Sequence, residues 1–404
     1  MSKMKKLSLT LLLLMSLGSI VMANNVITTN EVTIRPDGTA ELIVSLENDE
    51  DFNVYAYDFR LYLPDGIEVV KDASYVYALS GRHTDHAVNV QPTNDGAIQF
   101  GVSSPNAFLS GTTGSVLGIK LKADESLTEG TTLTGSIKKI TYANKEAQTV
   151  HPDDMTFNIK IDNVVVLDEN ALLVPDATSS NVDIKVLRTI KANQWSTICL
   201  PFAMSAEKLK AAFGDDYELD YISNCESETD GDGNVTGLNV TFTKRTAALQ
   251  INRPYIIKIS KDITEFEVNA KINPSDAYKT EVTKEDDETG EEILVCSMTG
   301  NLKAGTVVPK NSLFLSGNNF WYSVGKTKIK AFRAYFTFKD VLSSLNGAGV
   351  KMFFGDAETR VNDINGDEDE SVYDLGGRKL ADDKSDAHIR RGVYIVNGQK
   401  VAVK

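Results

Sequence analysis

The sequence predicts a mainly β protein: an N-terminal antiparallel sandwich, a second β-rich domain with one or two short helices, and a small C-terminal β-module. Three observations predict it. Apolar residues recur at period two in one segment after another. Clusters of Gly, Asn, Asp and Pro punctuate those segments at close intervals. Helical periodicity is confined to one short stretch near the middle of the chain. The composition agrees, since 42% hydrophobic and 24% charged residues in a chain of 404 are ordinary for globular protein and suit two or three domains.

The first 23 residues stand apart from the fold. Lys3, Lys5 and Lys6 form a basic start, 7–21 are apolar, and Val21, Met22 and Ala23 end in small residues at a cleavage point. The apolar run is about 15 residues, short of the roughly 20 that span a bilayer, so it reads as a secretory signal peptide rather than an anchor. Asn24 and Asn25 follow, not Cys, which argues against an N-terminal lipid. No later stretch is apolar enough to form a transmembrane segment in the mature chain. Removing the leader lysines lowers the formal charge from −14 to −17, an acidic balance that excludes nucleic acid and anionic lipid as partners.

The sandwich occupies 24–166. Leu42, Val44 and Leu46 alternate along 40–46, and Tyr55, Tyr57, Phe59, Leu61 and Leu63 do the same before the turn Pro64-Asp65-Gly66. Further strands are expected at 97–102, 115–121, 131–140 and 155–161, separated by turns such as Thr93-Asn94-Asp95-Gly96. Short strands at this spacing, with no helical pattern between them, argue for antiparallel packing of two sheets. The polar, Pro-containing stretch 167–184 reads as a linker, and 185–355 as the second domain. There, Ser205 before 206–213 and Gly214 after it bracket a short helix by capping chemistry. Strands are expected at 195–200, 238–244, 254–259, 293–298, 312–315, 320–324 and 329–338, with acidic loops at 225–234 and 281–292. The acidic stretch 356–370 is a second linker, and 371–404 the terminal β-module.

Little in the chain suggests catalysis. The four histidines are His83, His86, His151 and His388, and only His83-Thr84-Asp85-His86 forms a local cluster. On a strand that spacing sends the rings to opposite faces, so a solvated loop is the expectation there, not a metal site. Carboxylates are plentiful, but no spacing marks two of them as a glycosidase pair. No cofactor is implied; calcium is the one ion the acidic runs suggest. Asp363, Asn365, Asp367 and Asp374 fall at positions 1, 3, 5 and 12 of a calcium-type loop, although Glu368 stands where the turn glycine belongs. Asp230-Gly231-Asp232-Gly233-Asn234 reads better as a hairpin turn. Cys199, Cys225 and Cys296 allow at most one intramolecular disulfide, whose partners the sequence leaves open. Among the aromatics, Tyr55 and Tyr57 share the core face with Phe59 and Leu61. That leaves Tyr62, Tyr75 and Tyr77 as candidates for a ligand-binding surface.

Three stretches resemble known families. Leu46-Glu47-Asn48 followed by Tyr57-Asp58-Phe59-Arg60-Leu61-Tyr62-Leu63-Pro64-Asp65-Gly66-Ile67 resembles cohesin-like and carbohydrate-binding sandwiches of polysaccharide-degrading bacteria. That resemblance implies a module that binds a protein partner or carbohydrate and has no catalytic residues. Near the C-terminus, Val372-Tyr373-Asp374-Leu375-Gly376-Gly377-Arg378, then Arg391-Gly392-Val393-Tyr394-Ile395-Val396-Asn397-Gly398-Gln399-Lys400, resembles the sorting domain of type IX secretion. It implies recognition by an outer-membrane translocon through Tyr373, Asp374, Leu375, Gly377, Arg378, Gly392, Tyr394 and Lys400. The stretches 195–202 and 332–336 are similar to an uncharacterised module found beside such tails.

These readings converge on an exported, non-catalytic protein at the cell surface or outside the cell, or in the periplasm if the tail is not a sorting signal. Its partners would be a glycan or a surface protein, and the secretion translocon. A structural adhesin or fibre-type surface protein is the alternative, and a hydrolase with an unrecognised carboxylate pair a more distant one.

Overall fold

A computed structural model describes residues 25–231, 235–244, 248–275, 279–285, 292–339 and 350–354, and the C-terminal strands within 372–403. The protein is mainly β, with one short helix among the described residues. The leader, the calcium-type run Asp363, Asn365 and Asp367, and Asp374 lie outside the described residues.

The first unit contains strands β1 (Val26–Thr29), β2 (Val32–Ile34), β3 (Thr39–Glu47), β4 (Ala56–Tyr62), β5 (Ile67–Val69), β6 (Tyr77–Leu79), β7 (Ala87–Pro92), β8 (Ile98–Ser103), β9 (Ser115–Ala123), β10 (Thr132–Ala143), β11 (Thr149–Val150) and β12 (Met155–Ile161). They form two sheets. One runs β1-β3-β9-β5, with β6 also on β9; the other runs β2-β12-β10-β4-β8-β7, with β11 on β10. Because β1 and β2 belong to different sheets, the N-terminal segment crosses from one to the other and closes that side of the sandwich.

Alternation decides what lies between the sheets. Leu42, Val44 and Leu46 of β3 and Tyr57, Phe59 and Leu61 of β4 point inward and are buried in one core with Phe100 and Val102 of β8 and Leu117 and Ile119 of β9. Phe59 and Phe100 stack at 5.4 Å between centroids. The expected turn at Thr93–Gly96 closes the β7–β8 hairpin, with the Gly96 N–H donating to Thr93 O at 3.2 Å and Gly96 at φ 83°, a region open to glycine at little cost. Tyr55 departs from the expected core face. It sits on a bend before β4 begins at Ala56, so the period-two pattern does not reach it, and it is half-buried outside the core cluster.

The second unit stacks three sheets. Val164–Asp168, Val182–Ile190 and Ile263–Ala270 form the first, and the central one runs Ser196–Cys199, Pro254–Lys258, Glu218–Thr229, Val235–Lys244 and Val350–Phe354. The third runs Lys279–Glu285, Glu292–Gly300, Ala334–Lys339, Leu313–Ser316 and Asn319–Tyr322. Both faces of the central sheet are covered. Tyr255 and Ile257 join one core with Phe266 and the helix residues Leu209 and Phe213, while Ile256, Val240 and Phe242 join another with Met298 and Phe336. The helix Ala206–Phe213 starts and stops where its caps predict: the Ser205 side chain accepts from Lys208 N, and Gly214 N–H donates to Lys210 O.

The two segments expected as acidic loops are in good part strand. Cys225 lies within Glu218–Thr229 and Glu281 within Lys279–Glu285, because their charged residues alternate with Cys225, Ser227 and Val282 and need face water on one side only. Cys225 and Cys296 form a disulfide, Cα–Cα 6.5 Å, tying the central sheet to the third. Cys199 is the free thiol; burial pushes it up to about 12, and its Sγ donates to Asn252 O at 3.2 Å.

The segment between Asp168 and Val182, polar enough to read as a linker, lies against both units. Glu169 accepts from Lys330 at 2.9 Å and from Arg333 at 2.8 Å in the second unit, and Asp176 accepts from Lys120 at 2.5 Å and Thr39 at 2.6 Å in the first. Glu169 and Asp176 thus have specific partners, while Asp176, Ser179 and Ser180 also face solvent. We refer to this segment as the strap.

In the C-terminal region four strands, Val372–Tyr373, Lys379–Ala381, Gly392–Val396 and Gln399–Val403, pair in a sheet, with Tyr373 opposite Ile395 and Tyr394 opposite Val401. Tyr373, Gly392, Tyr394 and Lys400 of the sorting-type motif fall on these strands; Asp374, Leu375, Gly377 and Arg378 lie outside the described residues.

Candidate functional site

A sandwich has two outer faces, and here they differ in what covers them. On the five-stranded sheet, Glu41 and Ile43 of β3 and Gly118 and Lys120 of β9 point away from the core, yet Ile43 is only 4% exposed. The strap explains this. Leu172 N–H donates to one Glu41 carboxylate oxygen at 2.9 Å and Leu173 N–H to the other at 3.0 Å. Gly118 makes the approach possible, since a Cβ there would overlap the Glu41 carboxylate and lie 3.2 Å from Leu172 Cβ. Nearby, Lys328 of the second unit packs over Gly81. A cleft of about 450 Å³ remains beside the strap, lined by residues that include Arg35, Asp37, Glu41, Lys120, Asp168 and Asp176.

Burial raises the Glu41 carboxyl to about 7, against the opposing pull of its two N–H donors, with the nearby Asp168 charge raising it further and Lys120 lowering it. Asp168 is itself raised by burial.

The outer face of the larger sheet carries Asp58, Arg60 and Tyr62 from β4. The register sets Gly101 opposite Asp58, Gln99 and Lys138 opposite Arg60, Ser136 opposite Tyr62, and Asn89 opposite Gly101. The polar groups hold one another in place. Arg60 pairs with Asp95 at 2.9 Å, the Tyr62 hydroxyl donates to the same Asp95 oxygen at 2.9 Å, and Gln99 donates to Asp58 at 3.2 Å. Hydrogen bonds from Thr93 and Tyr62 hold Asp95 well below the usual carboxylate range. Lys138 lies over the Tyr62 ring at 5.4 Å. At the centre, a Cβ on Gly101 would meet nothing nearer than Asn89 O at 3.9 Å, so the face has a shallow notch. This surface is polar, carries charges of both signs, and is cross-linked by its own hydrogen bonds.

The remaining candidate tyrosines lie elsewhere. Tyr77 is on β6 in the other sheet and Tyr75 precedes it; both are half-buried and pack against the sandwich core. Tyr62 and Tyr77 therefore stand on different sheets.

One end of the sandwich holds the histidine cluster, and here the expectation of a solvated loop is overturned. His83 is half-buried, with Nδ1 3.1 Å from Ser80 O and Nε2 3.1 Å from the Tyr57 hydroxyl. A carbonyl can only accept, so Nδ1 carries the proton and Nε2 accepts from Tyr57 in the neutral ring. Burial lowers His83 to about 4, which keeps that form at neutral pH. His86 is buried, its ring 4.9 Å from that of His83 in a T arrangement. Arg82, which precedes His83, is buried too, donating to Leu46 O, Ser110 O, Gly111 O, Gly114 O and Asn48 Oδ1 at 2.7–3.2 Å. It ties residues 46–48 and 110–114 to its own loop at one end of the fold. Sequence periodicity gives no sign of this, because the segments that bury the cluster are irregular.

The described residues contain no group of three or more His, Cys, Asp or Glu placed to hold a metal ion. No described helix is long and apolar enough to cross a membrane. Sequence reasoning missed Glu41 and Arg82, each of which reads as an ordinary surface charge. It also passed over Phe108, whose signal was an aromatic residue within the turn cluster Ser104-Pro105-Asn106-Ala107-Phe108.

No family model matches the sequence, and no curated protein does. Among solved structures, similarity is found to a cohesin module from a family 33 glycoside hydrolase of Clostridium perfringens, with 13% identity and a TM-score of 0.29, covering 34% of this chain and 96% of that one. The sixth cohesin of scaffoldin B from Acetivibrio cellulolyticus, in complex with a dockerin, gives 13% identity and a TM-score of 0.31, covering 34% and 99%. A non-cellulosomal cohesin from the archaeon Archaeoglobus fulgidus gives 16% and 0.27, covering 34% and 91%.

Proposed function

We propose that this chain is an exported, non-catalytic binding protein whose sandwich presents the outer face of its larger sheet to a glycan or a protein partner. The observation that carries the reading is the asymmetry of the two faces. The strap covers one through Glu41, Leu172 and Leu173, while the other offers Asp58, Arg60, Tyr62 and Gln99 in fixed positions around the Gly101 notch. Side chains held by neighbours lose little further freedom on binding, which favours recognition by a preformed surface.

Export is supported by the composition of the leader and by the Cys225–Cys296 disulfide, a bond that persists in oxidising compartments. The sorting-type residues at the C-terminus support delivery across the outer membrane. The first test is fractionation of cells making the full protein beside a version ending at Arg360, with mass spectrometry of both termini. Appearance of the full protein at the surface or in the medium, with the truncation retained in the periplasm, supports the tail's role. Equal fates remove that role and leave periplasmic partners.

Gly101→Arg tests the face. Nothing lies within 3.9 Å of the new Cβ, so the fold is expected to be unchanged. Binding in a panel of surface glycans and matrix proteins should be abolished by the long charged side chain; binding retained at full strength would contradict the assignment of this face.

A further inference from the structure

Of the large apolar side chains that the described residues leave exposed, Phe108 is the aromatic one, at 46%. It lies between β8 and β9, on a connection that is held along its length. Ser104 N–H donates to Tyr55 O, Leu109 N–H to Val54 O and Ser110 N–H to Arg82 O, each at 2.9 Å. The Ser104 hydroxyl accepts from Asn106 N at 3.1 Å and Ala107 N at 3.0 Å and donates to Asp85. The phenyl ring is therefore presented to solvent by a fixed scaffold.

A second ring stands beside it. Tyr55, outside the core because β4 starts one residue later, lies with its ring centroid 5.8 Å from that of Phe108 at an interplanar angle of 50°. Polar groups complete the surroundings. Asn106 Nδ2 donates to Asp85 Oδ2 at 3.3 Å, and both residues are exposed. The Ser104 hydrogen bond lowers the Asp85 carboxyl, keeping it an acceptor. Two aromatic faces next to a carboxylate and an amide match what a sugar offers: an apolar face of C–H groups to stack, and hydroxyls that donate to Asp and exchange bonds with Asn. The Asp85 charge, within an acidic chain, disfavours anionic sugars and selects neutral ones.

We propose that this end of the sandwich is a binding site for a neutral carbohydrate, with a pyranose ring stacked on Phe108 beside Tyr55 and its hydroxyls bonded to Asp85 and Asn106. The site is separate from the open sheet face, and either can stand without the other.

The test is affinity electrophoresis of the mature full chain in native gels containing xylan, mannan or mixed-linkage β-glucan. Retardation by one of these is expected. Phe108→Ala should weaken it about tenfold, the scale of one lost ring contact. Asn106→Ala should weaken it as well. Phe108 is exposed, so its truncation should leave the unfolding midpoint in place, which checks that the variant is folded. Three results would overturn the proposal: no retardation in any of the three polysaccharides, equal retardation of Phe108→Ala and wild type, or loss in Gly101→Arg with Phe108→Ala unaffected. The last would move the sugar to the sheet face and leave the broader binding reading intact.

Discussion

Replacing Glu41 with glutamine separates two forces that act on that carboxyl in opposite directions. Its two oxygens accept from consecutive backbone N–H groups of the strap, which favours the charged form, while burial and the neighbouring Asp168 favour the neutral one. The balance raises it from 4.5 to about 7, so burial outweighs the hydrogen bonds. The folded protein then holds this proton more tightly than the unfolded chain. Near pH 4 both states are protonated and the group leaves stability unchanged. As pH rises through the interval, the unfolded chain releases its proton first, and stability falls until the folded group has titrated near 7. At about 1.4 kcal/mol per tenfold change in proton affinity, the full excursion is worth up to about 3 kcal/mol. A glutamine does not titrate, and loses one N–H acceptor at every pH alike. Urea unfolding of wild type and Glu41→Gln from pH 4.5 to 8.5 isolates the group by difference. The wild-type advantage over the variant should shrink by about 2–3 kcal/mol across that range and level off above pH 7.5. An advantage that grows with pH would show that the two N–H bonds dominate, and the reasoning from burial would fail.

Two further outcomes follow from the packing. Arg82→Met removes the donors that converge on Leu46, Ser110, Gly111, Gly114 and Asn48, leaving the buried acceptors Leu46 O and Asn48 Oδ1 without them; a loss of about 3–5 kcal/mol in urea unfolding is expected, and under 1 kcal/mol would mean that water replaces the guanidinium. Replacing Cys225 and Cys296 by alanine releases a closure of 71 residues, so stability should fall by about 4 kcal/mol, while thiol labelling of the wild type should find Cys199 reactive only after unfolding.

Much of the architecture is legible in the sequence because it rests on local alternation. The strand expected at 155–161 is β12 to the residue, and those expected at 40–46 and 115–121 are the hearts of β3 and β9. What escapes is whatever depends on partners distant in the chain. The strands β2, β5 and β6 have three residues each, too few to show a period. Glu41 reads as an outward polar residue, yet the backbone that buries it is 131 and 132 residues away. His83 and His86 look wet because nothing nearby in sequence announces Tyr57, 26 residues away, whose hydroxyl meets the His83 ring. Tyr55 continues the apolar pattern of β4 in letters but not in conformation, since it forms a bend and the strand begins only at Ala56. The strap reads as a linker because its acidic residues resemble a solvated run, while their cationic partners, Lys120, Lys330 and Arg333, lie on other elements.

With one sandwich face occupied by the protein's own strap, each chain has one sheet face left to offer. On the proposed reading, a partner engaged through that face alone would be held monovalently, and a linked pair of chains would gain by effective concentration what that face cannot supply by itself. Firm adhesion would then scale with how densely copies are displayed, and a soluble released form would exchange freely where a surface-bound array holds on.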